Sequence, residues 1–340
     1  MDVEERAATL LSTAEECVGG EDELLALLHD KPSPICLHSF QPSASGRLDI
    51  AQGVGKVIDV NKMIRAGCRV KILIEDQRMG GDLSEIRATG HHMIEVWKAL
   101  GMDLDGVEFL WSSEEISKRA HLYWPMVLGL ARETKVGRLA RYILHPNPDN
   151  VKVDQLWEPI MQCADILFLD LEADICQMGM DQREVGMMAR EYSEHIEGAS
   201  KPIFLLHHLL PGLKEGQQKM SNSDPYSAIF MFDDEVDVKS KIKKAFCPIK
   251  ITEGNPCLEY IQHIVFPWFG KFEVLRNERS GGNRTYVTME ELLVDYISGA
   301  LHPGDVKAAL TKAINQILQP VRDHFNKNSD AKVLCNAAKV

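Results

Sequence analysis

Short apolar runs of strand character alternate with longer segments whose apolar residues recur at helical spacing, and this alternation limits the chain to few architectures. Ile35-Cys36-Leu37-His38 is followed by Gly46 and then by Leu48, Ile50, Val54, Val57, Ile58 and Met63: a strand, a glycine-containing loop and a helix. Val70, Ile72 and Ile74 interleave with Lys71 and Leu73 in a second strand. Gly80-Gly81-Asp82 then leads, with Asp82 as a helix cap, into a helix through Ile86, Met93, Val96, Trp97 and Leu100. Val107–Trp111 reads as a third strand, Ser112-Ser113-Glu114-Glu115-Ile116 as a capped helix start, and 166–169 and 203–206 as later strands. The pattern predicts an α/β fold, a Rossmann-like doubly wound parallel sheet with helices on both faces. Ligands in such sheets bind beyond the carboxyl ends of the strands.

Residues 1–30 read as a helical segment, ended by Pro32-Ser33-Pro34. From about Val238 strands become scarce, and 239–246, 257–265 and 306–325 carry helical spacing. Three parts are therefore expected: a helical start (1–30), a Rossmann-like domain (31–235) and an α-helical domain (236–340).

The formal net charge of −12 over 340 residues argues against a generalist nucleic-acid binder, though a local basic stripe suffices for phosphate contacts. Lys239, Lys241, Lys243 and Lys244 form such a stripe, equally compatible with a solvated helix face. None of the 8 cysteines forms a C-x-x-C pair, and most sit in apolar segments. That pattern suggests buried thiols in a reducing compartment and no structural metal. The acidic start lacks the features of a signal peptide, and no run approaches the ~18 apolar residues of a membrane span. A cytoplasmic protein is expected.

Two loops carry candidate chemistry. Lys219, in Gln217-Gln218-Lys219-Met220-Ser221-Asn222-Ser223-Asp224, can swing onto a phosphate, with Ser221 and Ser223 as hydrogen-bond donors. Ser45-Gly46-Arg47-Leu48-Asp49-Ile50-Ala51-Gln52-Gly53 places backbone N–H groups at a helix start, where anions are favoured. Each alone reads more readily as an ordinary surface loop or tight turn.

Together, in this order, the two segments resemble the ATP-gripping HIGH and KMSKS motifs of class I aminoacyl-tRNA synthetases. Met178-Gly179-Met180-Asp181-Gln182-Arg183, Gly67-Cys68-Arg69-Val70-Lys71-Ile72, Phe109-Leu110-Trp111-Ser112-Ser113-Glu114-Glu115, Asn255-Pro256-Cys257-Leu258-Glu259-Tyr260 and His302-Pro303-Gly304-Asp305 are similar to eukaryotic and archaeal tyrosyl-tRNA synthetases. The resemblance runs along nearly the whole chain. It fits the tyrosyl branch better than the related tryptophanyl one.

The resemblance implies ATP-dependent activation of tyrosine, with Mg²⁺ accompanying the ATP, and transfer to tRNA(Tyr) by a homodimer. Glu158-Pro159-Ile160-Met161-Gln162-Cys163-Ala164-Asp165 resembles the family's Tyr-Pro-x-x-Gln-x-x-Asp, which assigns Gln162 to the tyrosine ammonium and Asp165 to the phenol. Gln182 resembles the second ammonium-binding Gln. A site built to bond the phenol rejects phenylalanine, and the best-known case, about 10⁵-fold, is itself a tyrosyl-tRNA synthetase. Gly46, Asp49, Gln52, Lys219 and Met220 match the ATP segments, with Lys219, Ser221 and Ser223 in the catalytic loop. His302 and Asp305 match the anticodon-reading motif, and the same residues also read as a capped loop before a helix.

The departures gather at the site. Leu37 stands where the family has a phenol-binding Tyr, Glu158 where it has an ammonium-binding Tyr, and Asp49 where HIGH has its histidine. The segment after Asp76 is shorter than the family's. These departures define a second reading: a relative that keeps the fold and binds tRNA or a partner without activating tyrosine.

Overall fold

The computed structural model describes residues 1–42, 46–77, 82–143, 151–167, 171, 173–196, 201–220 and 224–337. They fall into two compact units that follow space rather than chain order: 1–42, 60–83 and 103–209 form one, and 43–59, 84–102 and 210–340 the other.

The first unit is built on a six-stranded sheet. Its strands are β1 (Glu16–Val18), β2 (Ile35–Phe40), β3 (Arg69–Ile74), β4 (Val107–Trp111), β5 (Ile175–Gly179) and β6 (Ile203–His207), in the order β1-β6-β5-β2-β3-β4. All pair in parallel except β1, which runs antiparallel along the β6 edge. Every residue of β5 is buried, and all but one of β2, as expected of strands covered on both faces. From β2 the chain steps outward through β3 to β4, then returns to β5 beside β2, with Leu37 opposite Cys176 and His38 opposite Gln177. That reversal makes the carboxyl ends of β2 and β5 the topological switch point, where open α/β sheets bind ligands. The expected doubly wound fold is therefore observed.

Three local expectations are corrected. Residues 1–30 are not one helical segment: helices Val3–Leu11 and Gly20–Asp30 flank β1, and Gly19 and Gly20 take φ of 118° and 85°, which a side chain would strain. Ile166 and Leu167 are not strand but the last residues of helix Val153–Leu167, and 168–169 lie outside the described residues. A short apolar run fits either element, and here the preceding helix continues through it. The Ser112 hydroxyl does not cap its helix. Ser112 and Ser113 instead donate to the buried Asp76 carboxylate, at 3.0 and 2.6 Å, joined by the Ser113 N–H at 2.8 Å. Asp76 thus ties the ends of β3 and β4 together where the chain is short.

The second unit is mostly helical. Helix Pro303–Lys327 turns Val306, Leu310, Ile314, Ile317, Leu318 and Val321 inward, a continuous apolar stripe. Around it stand helices Glu235–Lys244, Pro256–Tyr260 and Met289–Ser298 and a small antiparallel pair, β7 (Phe272–Val274) and β8 (Arg284–Tyr286). Helix Leu83–Ala99 contributes His92, fully buried and stacked on Phe232 (centroids 4.9 Å apart) and against Phe325 (5.1 Å). Neither His92 ring nitrogen has a hydrogen-bond partner, and burial lowers its pKa to about 4.

Candidate active site

In the first unit, helix Val153–Leu167 carries Glu158, Gln162 and Asp165. Gln162 and Asp165, three residues apart, share one face. Both are nearly sealed from solvent, at 3% and 4% exposure, whereas Glu158 is half-buried. The Tyr123 hydroxyl, on helix Ala120–Glu133, donates to Asp165 Oδ1 at 2.7 Å. A buried carboxylate needs such a donor, and its oxygens can accept more than one hydrogen bond. Leu37 is buried in the same apolar cluster as Tyr123, Ile160, Cys163 and Ala164. Tyr123 was not singled out by the sequence. Its spacing to Val127 and Leu130 marks a core stripe, and nothing local distinguishes a stripe tyrosine whose hydroxyl meets a carboxylate.

Gln182 follows the carboxyl end of β5, half-buried at the N-cap position of helix Arg183–Ser193, which packs against the Gln162 helix. Its side chain makes no capping hydrogen bond. Just before it, a Cβ on Gly179 would lie 2.6 Å from Asp181 Oδ1 and 2.9 Å from Leu209 Cδ2, so a larger residue there would have to displace both side chains.

In the second unit, Leu48–Ile50 lie antiparallel to Ile229–Met231. Asp49 bridges Phe230, with Ile50 N–H to Ile229 O and Met231 N–H to Leu48 O both at 2.9 Å. Gly46 sits just before, at φ 66°. Asp49, 8% exposed, accepts from Gln52 N–H at 2.9 Å. Burial raises its carboxyl pKa to about 6, against the pull of the Gln52 and Ala51 N–H groups. The acid therefore spends its charge on the helix start that an anion would otherwise occupy. The first turns are a π-helix, 51–55, before helix Lys56–Arg65, and the Trp97 indole N–H donates to Gln52 O at 3.0 Å.

Lys219 is exposed on a loop closed at its base by Leu213 N–H to Ser227 O, 2.8 Å, and braced by a Lys214–Asp224 ion pair. Met220 is held by the buried Tyr260, whose hydroxyl meets Met220 Sδ at 3.5 Å. A tethered base with an exposed lysine leaves the ammonium free to meet an anion. Ser221 and Ser223 lie outside the described residues.

Further along this unit, His302 is the N-cap of helix Pro303–Lys327, its Nδ1 accepting from Gly304 N–H at 3.0 Å, and Asp305 lies 3.8 Å from Arg276. The expected basic stripe loses a member. Lys241 is buried, with both Asp233 oxygens within 2.7 Å, and lies over the Phe230 ring, so it is a core ion pair and not a phosphate contact. Lys239, Lys243 and Lys244 remain exposed.

Comparison with known proteins gives one answer. Residues 30–319 match the model of the tRNA synthetases class I (W and Y). The chain is 54% identical to cytoplasmic tyrosine–tRNA ligase 1 of Arabidopsis thaliana, over 99% of this chain and 89% of that one. It is 49% identical to cytoplasmic tyrosine–tRNA ligase 2 of the same plant, over 99% of this chain and 46% of that one. Among solved structures, the tyrosyl-tRNA synthetase of Leishmania major in complex with tyrosinol superposes with a TM-score of 0.89 at 41% identity, covering 100% of this chain and 52% of that chain. This chain thus spans about half the length of the last two.

Proposed function

The chain belongs to the class I tRNA synthetases for tryptophan and tyrosine, on the tyrosine side, and from that premise we propose that it is a tyrosine–tRNA ligase. It activates tyrosine with ATP and transfers it to tRNA(Tyr) in cytoplasmic translation. The observation that carries this reading is the sealed Asp165–Tyr123 pair on the helix that also buries Gln162. Polar groups held this way suit a phenol and penalise a substrate without one, because they would be left buried and unpaired.

Asp165 takes the tyrosine hydroxyl, with Tyr123 orienting the carboxylate. Gln162 and Gln182 take the ammonium, and Glu158 adds a negative charge in place of a neutral hydroxyl. Leu37 gives the pocket an apolar wall. The tyrosine carboxylate then attacks the α-phosphate of ATP and pyrophosphate leaves, a step helped mainly by alignment and by charge placed where the phosphates become more negative. Gly46, Asp49 and Gln52 frame the nucleotide, and Lys219, on the Met220-anchored loop with Ser221 and Ser223, meets the pyrophosphate. Mg²⁺ arrives on the ATP phosphates, keeping several water ligands, so it needs no protein cage.

The helical part, 236–340, is the tRNA-reading domain. There Asp305 accepts from guanine N–H groups, His302 lies beside it, and exposed Lys239, Lys243 and Lys244 meet phosphates. The active species is a homodimer. Leu122, Trp124 and Leu128 expose a large apolar surface on helix Ala120–Glu133, of the kind an interface between copies covers. Charging of tRNA(Tyr) with labelled tyrosine tests the proposal: tyrosine accumulates on the tRNA only with ATP and Mg²⁺ present. Gel-shift binding of the tRNA without any charging would instead favour the non-catalytic reading.

A further inference from the structure

Tyr226 is 54% exposed, and none of the roles proposed for tyrosine, ATP or tRNA uses it. Its backbone is nonetheless firmly held. Tyr226 N–H donates to Asp224 Oδ1 at 3.0 Å, and the Ser227 N–H and hydroxyl both donate to Asp224 O, at 3.0 and 2.8 Å. The other Asp224 oxygen pairs with Lys214. Leu213 ties this turn to the end of helix Glu235–Lys244: its N–H donates to Ser227 O and its carbonyl accepts from Phe246 N–H, both at 2.8 Å. A fixed turn thus presents an open aromatic ring, with the Lys244 ammonium over it at 4.8 Å from the centroid.

The surface around the ring is basic. Lys239, Lys243 and Lys244 are exposed on that helix, and the acid of the Tyr226 turn, Asp224, is already paired. The Lys307 ammonium bonds Lys243 O at 3.0 Å, and Lys307 stands two residues after Asp305 at the start of helix Pro303–Lys327. Contacts therefore run from the end of the helix that carries Asp305, through Lys307 and Lys243, to Lys244 and Tyr226. Exposed rings set among lysines are how proteins grip single-stranded nucleic acid: bases stack on the rings and lysines take the phosphates. A lysine over an exposed ring is weakly held, so Lys244 can pass to a phosphate as a base takes the ring. A double helix keeps its base faces stacked inside, so the ring suits an unpaired loop.

We propose that Tyr226 is a stacking contact for an unpaired base of the tRNA anticodon loop, with Lys243, Lys244 and Lys307 meeting the phosphates beside it. This rests on tRNA as the partner and on the anticodon reading of His302 and Asp305. The two contacts divide the work. Asp305 reads a base edge and so carries specificity, whereas Tyr226 accepts the face of any base and so carries affinity alone.

Filter binding of the full chain to transcribed tRNA(Tyr) tests the proposal. Tyr226→Ala is expected to weaken binding about tenfold, the size of one base–aromatic stack, and Tyr226→Phe to retain it. On a tRNA whose anticodon loop is replaced by a compact tetraloop, Tyr226→Ala and wild type are expected to bind alike. Replacing the first anticodon guanine should weaken wild type and Tyr226→Ala by the same factor, and Asp305→Ala should erase that preference. No preference for the guanine in wild type would sink the Asp305 reading and leave the stacking comparison standing. Binding without charging would sink the ligase reading alone, since the readout is affinity. Lys244→Gln is expected to lower the salt slope by about one. Undiminished affinity in Tyr226→Ala, an equal loss on the loop-replaced tRNA, or no tRNA binding by the wild-type chain overturns the proposal. So does a raised KM for ATP in pyrophosphate exchange, which would assign the ring to adenine.

Discussion

The groups proposed to recognise tyrosine and those proposed to hold the nucleotide are built on opposite principles. In the first unit the recognition groups are sealed and mutually supported: Asp165 is bonded to Tyr123 inside an apolar cluster, and Gln162 is buried beside it. In the second unit Lys219 stands exposed on a braced loop, and the buried acid Asp49 is spent on its own helix start. Selecting one side chain among similar ones needs preorganised, desolvated groups. Gripping a phosphate needs a mobile cation and free backbone N–H groups. The departures from the family fall unevenly on this divide. Leu37 and Glu158 change two of the proposed tyrosine-binding positions while Asp165 is kept, whereas Asp49 brings a charge of the wrong sign to the proposed phosphate-binding segment.

The largest effect that could break this comparison belongs to the amino-acid side. Asp165→Ala is expected to lower the tyrosine-over-phenylalanine preference in ATP–pyrophosphate exchange by at least about 10³-fold, because that preference rests on paired polar groups. An unchanged preference would move phenol recognition elsewhere. Lys219→Ala is expected to lower kcat by about 10²–10³-fold, the usual cost of removing one transition-state donor, with the KM for tyrosine nearly unchanged. A loss seen only in the tyrosine KM would contradict the assignment to the pyrophosphate.

Two titrations sharpen the contrast at lower cost. Buried His92 has a folded-state pKa of about 4, below the ordinary 6.5, so the unfolded chain binds its proton first. Its contribution to stability is complete above pH 6.5 and is lost as pH falls towards 4. The whole contribution is about 3 kcal/mol, since each tenfold difference in proton affinity between the folded and unfolded chain is worth ~1.36 kcal/mol. His92→Leu should flatten the denaturant-measured stability across that window, and a profile identical to wild type would exclude His92. Asp49 has the opposite sign. Its folded pKa of about 6 exceeds the ordinary 3.8, so its ionisation costs stability as pH rises between those values. Asp49→Asn keeps a capping side chain and removes the charge. It should stabilise the chain by about 1–3 kcal/mol at pH 7.5, with the gain gone by pH 4, as urea titrations at the two pH values would show. Equal stability at pH 7.5 would mean that the Asp49 charge is not buried.

Much of the fold is legible in the sequence, since period-two and helical spacings reflect which faces are covered. β2, β3, β4 and β6 stand where their patterns place them. What escapes is set by partners distant in the chain. β1 has three residues and exists because the β6 edge needs covering, and Ile166-Leu167 takes its conformation from the helix before it. In the proposed tyrosine site, motif resemblance points to Gln162 and Asp165 but not to Tyr123, which meets Asp165 through a hydrogen bond across 42 positions. Nor does it foresee that Lys241 pairs with Asp233 in the core, because a run of lysines carries no sign of which one turns inward.

Tyrosine-dependent ATP–pyrophosphate exchange on the intact chain tests the central claim most directly. Exchange that rises with tyrosine and stays at background with phenylalanine is the expected result. Background exchange with both amino acids, in protein whose circular dichroism and cooperative unfolding show it folded, would contradict the account and leave a synthetase fold that has ceased to activate its amino acid.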